Sequence, residues 1–147
     1  MKKKQKITRV QLVLSGEDET LLLGIVSADP DYKLSLAINK RIGISLRHST
    51  PPEVQDQGET KIVFSRFSDL TGAPDNLYSL ISNRAGKNFL LKKLRNIDFL
   101  FHIQPDSPGR DSTDQLIASL RSIEGITAVF EIDRKSLRDK NLKYLMF

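Results

Sequence analysis

The chain of 147 residues lacks cysteine and tryptophan and contains only two histidines, His48 and His102. Without cysteine it can form neither disulfides nor a thiolate nucleophile, which is compatible with a reducing cytosol. A zinc site needs clustered cysteine and histidine, so we expect no metal site. A Walker loop, a G-x-G-x-x-G turn and a G-x-S-x-G elbow are also missing. We therefore predict no catalytic residues and no cofactor, with an enzyme of unfamiliar site left as one alternative.

Long hydrophobic runs are absent as well. No stretch approaches the ~18 consecutive apolar residues of a transmembrane helix. Polar residues interrupt residues 7–16 and no small-residue cleavage site follows, so a signal peptide is not expected. The composition, 39% hydrophobic and 28% charged, is typical of a globular protein, and the length suits one domain. We expect a soluble cytoplasmic protein with no membrane span.

Acidic residues are missing from the first 16 positions. This segment carries all of the net charge of +5, because the other 18 basic residues are balanced by all 18 acidic residues. Its cations are Lys2, Lys3, Lys4, Lys6 and Arg9. We interpret residues 1–6 as a basic flexible arm and residues 7–147 as a single α/β domain.

Hydrophobic patterning predicts the first elements of the domain. Residues 7–14 alternate as in a half-buried strand, whereas residues 20–27 are apolar almost without a gap, which is typical of a central strand covered on both faces. Asp29 as the capping residue and Pro30 as the first helical residue predict a helix that ends at Gly43. The buried stripe of this helix consists of Leu34, Ala37, Ile38 and Ile42.

The middle of the chain predicts a short strand at 44–47 and an irregular loop from 49 to 58. Two further strands, 61–67 and 77–83, are predicted to form an antiparallel hairpin around a wide turn. Residues 84–95 place cations among leucines and a phenylalanine, so we predict a short amphipathic helix that starts near Asn88.

The last third predicts a β-α-β unit with a right-handed crossover. Residues 97–103 form its first strand, with Ile97 expected on the same face as the three following alternate residues. Ser112 begins a capping box for the helix, and residues 126–132 form the second strand. We expect residues 134–147 to form a basic helix whose apolar end docks on the rest of the domain. These elements predict an α+β (or α/β) fold, with a mixed sheet of about five to seven strands and two main helices largely on one face.

Three stretches of the chain share an order and spacing with one known family. The first is GIVS at 24–27 followed by DYKL at 31–34 and INK at 38–40, the second is YSLISNR at 78–84, and the third is LKKLRNIDF at 91–99. They resemble the DYRL…LNK helix with its preceding strand, the YxLISNK segment and the naming motif of the uncharacterised bacterial IPExxxVDY family. Lysines replace the proline and glutamate of that motif. The resemblance implies a bacterial source and no activity, because none is established for the family.

The matching stretches supply seven candidate binding residues: Asp31, Tyr32, Asn39, Lys40, Asn83, Arg84 and Asp98. Structural roles are favoured for them, because Asp31 suits the start of a helix and Asn83 lies where a strand enters a turn. Asp98 is an acid inside an apolar strand. If its face is covered it needs a partner, because an unpaired buried carboxylate costs several kcal/mol.

A second set of candidates consists of cations suited to phosphate contacts. The candidate nucleic-acid residues are Lys2, Lys3, Lys4, Lys6, Arg9, Lys87, Lys92, Lys93 and Arg95. Against nucleic-acid binding stand the neutral charge of the body and the lack of an aromatic-rich strand for base stacking. The hypothesis is therefore a non-enzymatic macromolecular interaction domain, with a protein partner or self-association expected and nucleic-acid binding as the alternative.

Overall fold

The computed structural model describes residues 20–55, 58, 60–69, 71, 78–104, 113–137 and 140–145. The predicted arm, the predicted strand at 7–14, the candidate cations from Lys2 to Arg9 and the capping residue Ser112 lie outside these ranges.

Ten strands and three α-helices are formed by the part of the chain that the structure describes. The strands are β1 (Leu21–Ser27), β2 (Arg47–Ser49), β3 (Glu53–Gln55), β4 (Lys61–Val63), β5 (Arg66–Asp69), β6 (Tyr78–Ser82), β7 (Arg84–Ala85), β8 (Asn88–Phe89), β9 (Phe99–Ile103) and β10 (Ile126–Glu131). The helices are α1 (Asp31–Ile42), α2 (Thr113–Arg121) and α3 (Arg134–Leu137), and a 3-10 segment (Lys140–Leu145) follows. None of these helices is long and apolar enough to cross a membrane.

Six strands form the main sheet in the order β10-β1-β9-β6-β5-β2, and every neighbouring pair is antiparallel. The predicted α+β class and strand number are confirmed, and the sheet expected to be mixed is antiparallel between neighbours. Because β1 lies between β9 and β10, these two strands run parallel to each other and α2 joins them. This is the predicted β-α-β unit, with β1 inserted between its strands.

The two main helices cover one face of the sheet, as predicted. Leu34 and Ile38 of α1 and Leu120 of α2 are completely buried in one cluster with Ile25 of β1 and Phe101 of β9. The seven residues of β1 are buried or nearly so, which confirms a central strand covered on both faces. The periodicity that placed leucine and isoleucine on one side of each helix thus corresponds to a real packing surface.

The ends of α1 match the sequence prediction at one terminus only. Gly43 ends the helix in the left-handed conformation with φ of 73°, and its N–H donates to the Asn39 carbonyl. At the start, Pro30 rather than Asp29 is the N-cap, and no side chain caps the helix. Asp29 was therefore wrongly assigned as the cap; it forms an ion pair with Lys33, one turn later, at 3.5 Å.

The opposite face is covered by two segments without long helices, which we name the cover: residues 83–98, and the described residues 132–137 and 140–145. Leu90, Leu91, Leu137 and Leu145 of the cover are buried in a second cluster that includes Leu22, Ile81 and Leu100 of the sheet. Leu145 is only 1% exposed, so the apolar end of the chain docks on its own body as far as this residue. The predicted terminal helix is instead α3 and a 3-10 segment.

The prediction of a helix starting near Asn88 is wrong. Residues 84–89 form the β7–β8 hairpin around Gly86, whose φ of 62° suits a tight turn, and turns follow up to residue 96. Consecutive Leu90 and Leu91 are both completely buried, which a helix with one apolar stripe does not explain. The hydrogen bonds that stabilise this irregular path come from Asn83, described below.

Four smaller predictions also need correction. The expected loop at 49–58 contains β3, which pairs with β4 in a separate two-stranded sheet. The expected strand at 61–67 is split, so that only β5 forms the predicted hairpin with β6. The strand expected at 44–47 is β2, displaced toward the C-terminus. Ile97 packs in the second cluster rather than beside Phe99, because β9 begins two residues after it.

Candidate nucleic-acid interface

Asn83 is completely buried and fixes the path of the cover. Its Nδ2 donates to the carbonyls of Leu94 and Ile97, each at 2.9 Å, and its Oδ1 accepts the N–H of Leu91 at 2.8 Å. Its own carbonyl accepts the N–H of Leu90 at 2.9 Å. All side-chain bonds of this amide therefore serve backbone groups, and Asn83 is a structural residue.

Asp98 links the cover to the end of β1. Its carboxylate accepts Arg84 Nε at 3.0 Å and the N–H of Ser27 at 2.9 Å, and its side chain is 17% exposed. Ser27 Oγ in turn donates to the carbonyl of Gly125 at 2.6 Å. The partner expected for a covered Asp98 is thus Arg84, and the acid orients this arginine on the hairpin.

Phe89 forms a platform for two guanidinium groups. Arg84 and Arg95 have their Cζ atoms 5.3 and 5.6 Å from the centre of the Phe89 ring. Such cation–π contacts contribute about 0.5–1 kcal/mol at exposed sites. They place two cations side by side on the outer surface of the cover, where both side chains are exposed.

The two cover segments lie against each other. Lys93 Nζ donates to the Leu137 carbonyl at 3.1 Å, and Asn141 Nδ2 donates to the Leu90 carbonyl at 2.7 Å. The described residues of the two segments include nine basic and two acidic side chains, a net charge of +7. The other described residues include seven basic and seven acidic side chains. Among the described residues, the excess of positive charge therefore lies on the cover.

Eight cations of the cover are exposed, and we name them the basic surface. They are Arg84, Lys87, Lys92, Lys93, Arg95, Lys135, Lys140 and Lys143. The sequence indicates all five cations of the first segment, Arg84 as a binding candidate and the other four as nucleic-acid candidates. It does not mark the three lysines of the second segment as candidates. The basic composition of residues 134–147 was visible, whereas its contact with residues 90–93 depends on tertiary structure.

More positive charge lies beneath the cover, around His102. This histidine is 2% exposed; burial, together with the charges of Arg134 and Arg66, lowers its pKa to about 4. Burial also lowers the pKa of Arg66 to about 10, so this arginine stays charged at neutral pH. Arg66 donates to the carbonyls of Tyr144 at 2.8 Å and Thr50 at 3.1 Å. His102 is therefore neutral at physiological pH, and the arginines add to the positive potential of this face.

No protein-family model matches the chain, and no curated protein or solved structure matches it either. The resemblance to the IPExxxVDY family therefore stays a prediction of the sequence.

The seven candidate binding residues fall into two groups. Asn83, Arg84 and Asp98 come together in the cover, whereas the other four belong to α1 on the opposite face of the sheet. There, Asp31 Oδ1 accepts the N–H of Tyr32 at 2.6 Å. The Asn39 amide bonds both backbone groups of Leu46, at 2.7 and 3.1 Å, and so fixes the turn after α1. Lys40 is exposed near the helix end. The two groups do not form one site.

Catalytic chemistry finds little support among the described residues. Ser79 is paired with His102 across neighbouring strands, but both are buried, and the Ser79 hydroxyl is 3.0 Å from that of Ser68. His48 is exposed and packs edge-on against Phe67 at 5.4 Å. No three metal-ligating side chains lie together in these parts of the chain.

An open pocket of about 650 Å³ borders the basic surface at the start of α3. It mixes two acids and two cations with apolar side chains, so its walls have no net charge. The lining residues are Thr20, Glu131, Ile132, Asp133, Arg134, Lys135 and Leu142.

Proposed function

We propose that this protein is a non-enzymatic binding domain that contacts the phosphates of a nucleic acid through the basic surface, in the bacterial cytoplasm. The observation that carries the proposal is the concentration of eight exposed cations on two adjacent segments covering one face of the sheet. Phosphate contacts require basic groups on one face rather than a basic protein as a whole. The concentration of cations on the cover thus removes the objection drawn from the neutral body.

A nucleic acid is favoured over a protein partner because, in the part of the chain that the structure describes, the exposed large apolar side chains lie on three different elements. Tyr32 and Leu36 lie on α1, Val63 on β4 and Phe130 on β10. Apolar residues scattered in this way are normal on a soluble surface, whereas protein interfaces need a contiguous patch. Binding of a protein partner or self-association is the alternative function.

The test is binding of a fluorescently labelled mixed-sequence duplex, followed by anisotropy at several salt concentrations. The variant Lys87→Gln/Lys92→Gln/Arg95→Gln removes three charges from the basic surface. The matched control, Lys33→Gln/Lys40→Gln/Arg41→Gln, also removes two lysines and one arginine, here from the exposed side of α1.

We expect the basic-surface variant to bind about tenfold or more weakly near 0.1 M salt, with a salt slope shallower by about 2 to 3, because each lost phosphate contact removes about 0.9 from the slope. The control should stay within about threefold of the wild type, reflecting only long-range charge. Equal losses in both variants would show a nonspecific effect of net charge. Absence of binding by the wild type at low salt would refute the proposed function.

A further inference from the structure

We infer that the basic surface reads the phosphate backbone alone and not the bases, so that binding is independent of nucleotide sequence. This inference rests on the proposed function and specifies its ligand class: a regular polyphosphate backbone such as that of a duplex. The observation that supports it is that most aromatic, arginine and amide side chains of the cover already contact other groups of the same chain.

The aromatic rings of the cover are engaged by cations of the same chain. Phe89 lies beneath Arg84 and Arg95, as described above, and Lys143 Nζ lies 5.3 Å from the centre of the Tyr144 ring. Phe89 and Tyr144 are also partly buried. Stacking on unpaired bases requires open ring faces. The more open rings of the described residues, Tyr32 and Phe130, lie on α1 and β10, outside the cover.

The cations themselves are suited to phosphates. Six of the eight exposed cations are lysines, whose ammonium groups act as point charges toward phosphate. Direct reading of guanine depends mainly on a bidentate arginine or on lysine in the major groove. Arg84 already uses Nε for Asp98, and both exposed arginines are stacked on Phe89. Fixed in this way, they contribute charge at a defined position.

The amide side chains of the cover are also mostly committed. Asn83 and Asn141 are buried and bond backbone carbonyls, and Asn88 Nδ2 donates to the Ala85 carbonyl at 3.4 Å. Asn96 is an exposed amide of the cover beside Arg95, and an amide can bond the edge of adenine. It therefore provides a specific test of the inference, since a base-reading role would make its removal costly.

The experiment measures the affinity of the full chain for two duplexes of equal length, one rich in A·T and the other rich in G·C, with inorganic polyphosphate as competitor. We expect the two affinities to agree within about threefold and polyphosphate to displace both duplexes, because a backbone reader responds to phosphates whatever the bases. The variant Asn96→Ala should stay within about twofold of the wild type for duplex and for single strands. Phe89→Leu should change both affinities by the same factor, because the ring positions Arg84 and Arg95 for either ligand.

Three results would overturn the inference while leaving duplex binding intact. They are a preference above about tenfold for one duplex, a failure of polyphosphate to compete, and a selective loss of single-strand binding in Phe89→Leu, which would indicate base stacking. A wild-type protein that binds neither duplex at low salt refutes the proposed function itself. The two failures are therefore distinguishable in one set of titrations.

Discussion

Replacing Asn83 with alanine should strongly destabilise the protein, because this amide is completely buried and makes three hydrogen bonds. The Leu94 carbonyl keeps a second bond, from the N–H of Ile97 at 3.1 Å. The Leu91 N–H and the Ile97 carbonyl lose their Asn83 partner in a dry environment. Each such group costs about 1–3 kcal/mol when left unsatisfied.

Adding about 1 kcal/mol for the third bond, we expect Asn83→Ala to lower the free energy of unfolding by about 4 kcal/mol. For a chain of this size that corresponds to a fall in melting temperature of about 8–16 °C. The assay is urea denaturation followed by circular dichroism, with the slope against urea checked for constancy.

The matched control is Asn88→Ala, the same substitution at an exposed position of the same hairpin. Its amide makes one long contact, at 3.4 Å, so we expect a loss below about 0.5 kcal/mol. A loss below about 1 kcal/mol for Asn83→Ala, or equal losses for the two variants, would refute the view that the Asn83 amide organises residues 90–97.

Three further predictions concern packing, pH and the ion pair. Gly24→Ala should lower the free energy of unfolding by about 1–3 kcal/mol, because the added Cβ would lie 2.9 Å from Ile97 Cδ1. The second change Ile97→Val removes that atom and should reduce the loss, as measured by denaturation. The pKa of His102 is lowered from 6.5 to about 4 in the folded protein, so the unfolded chain binds a proton first as the pH falls. The free energy of unfolding should therefore decrease by about 2 kcal/mol from pH 7 to pH 5. His102→Gln should lack this decrease in urea titrations at the two pH values. The lowered pKa of Asp69 acts below pH 3.8, outside that window. Asp98→Ala should lower the free energy of unfolding by about 1–2 kcal/mol. Asp98→Asn should cost less than half of that, since asparagine still accepts the Ser27 N–H. A double-mutant cycle with Arg84→Ala should assign less than about 1 kcal/mol to the half-exposed ion pair.

Sequence reasoning succeeded where local pattern and packing agree. The continuous apolar run of β1, the stripe of α1 with its terminating Gly43, and the strand-helix-strand order of the last third all follow from periodicities of 2 or 3.6 residues. It failed at residues 84–97. Their leucine and lysine pattern is compatible with a helix, but the Asn83 side chain bonds the Leu91 N–H and the Leu94 carbonyl and so stabilises a path of turns. A tertiary side chain overrode local propensity there.

The basic surface could be predicted only in part. Lys87 to Arg95 stand out in the sequence, but their union with the lysines of residues 134–145 depends on the Lys93–Leu137 and Asn141–Leu90 bonds, which span 44 and 51 positions. A charge count along the chain gives zero for the body because acidic residues outside the cover balance its cations in that sum. The concentration of cations on the cover is a property of the fold.

Irregular segments also explain why one face carries so many cations. Helices satisfy their own backbone carbonyls, whereas the short elements of the cover leave carbonyls to be bonded by side chains. Lys93 bonds the Leu137 carbonyl, and Arg66 bonds those of Thr50 and Tyr144, so these two cations stabilise the cover while charging it. Their removal would mix a loss of stability with a loss of binding. Unchanged denaturation midpoints of the Lys87→Gln/Lys92→Gln/Arg95→Gln variant are likewise required before its binding defect is assigned to phosphate contacts, since Arg95 also packs on Phe89.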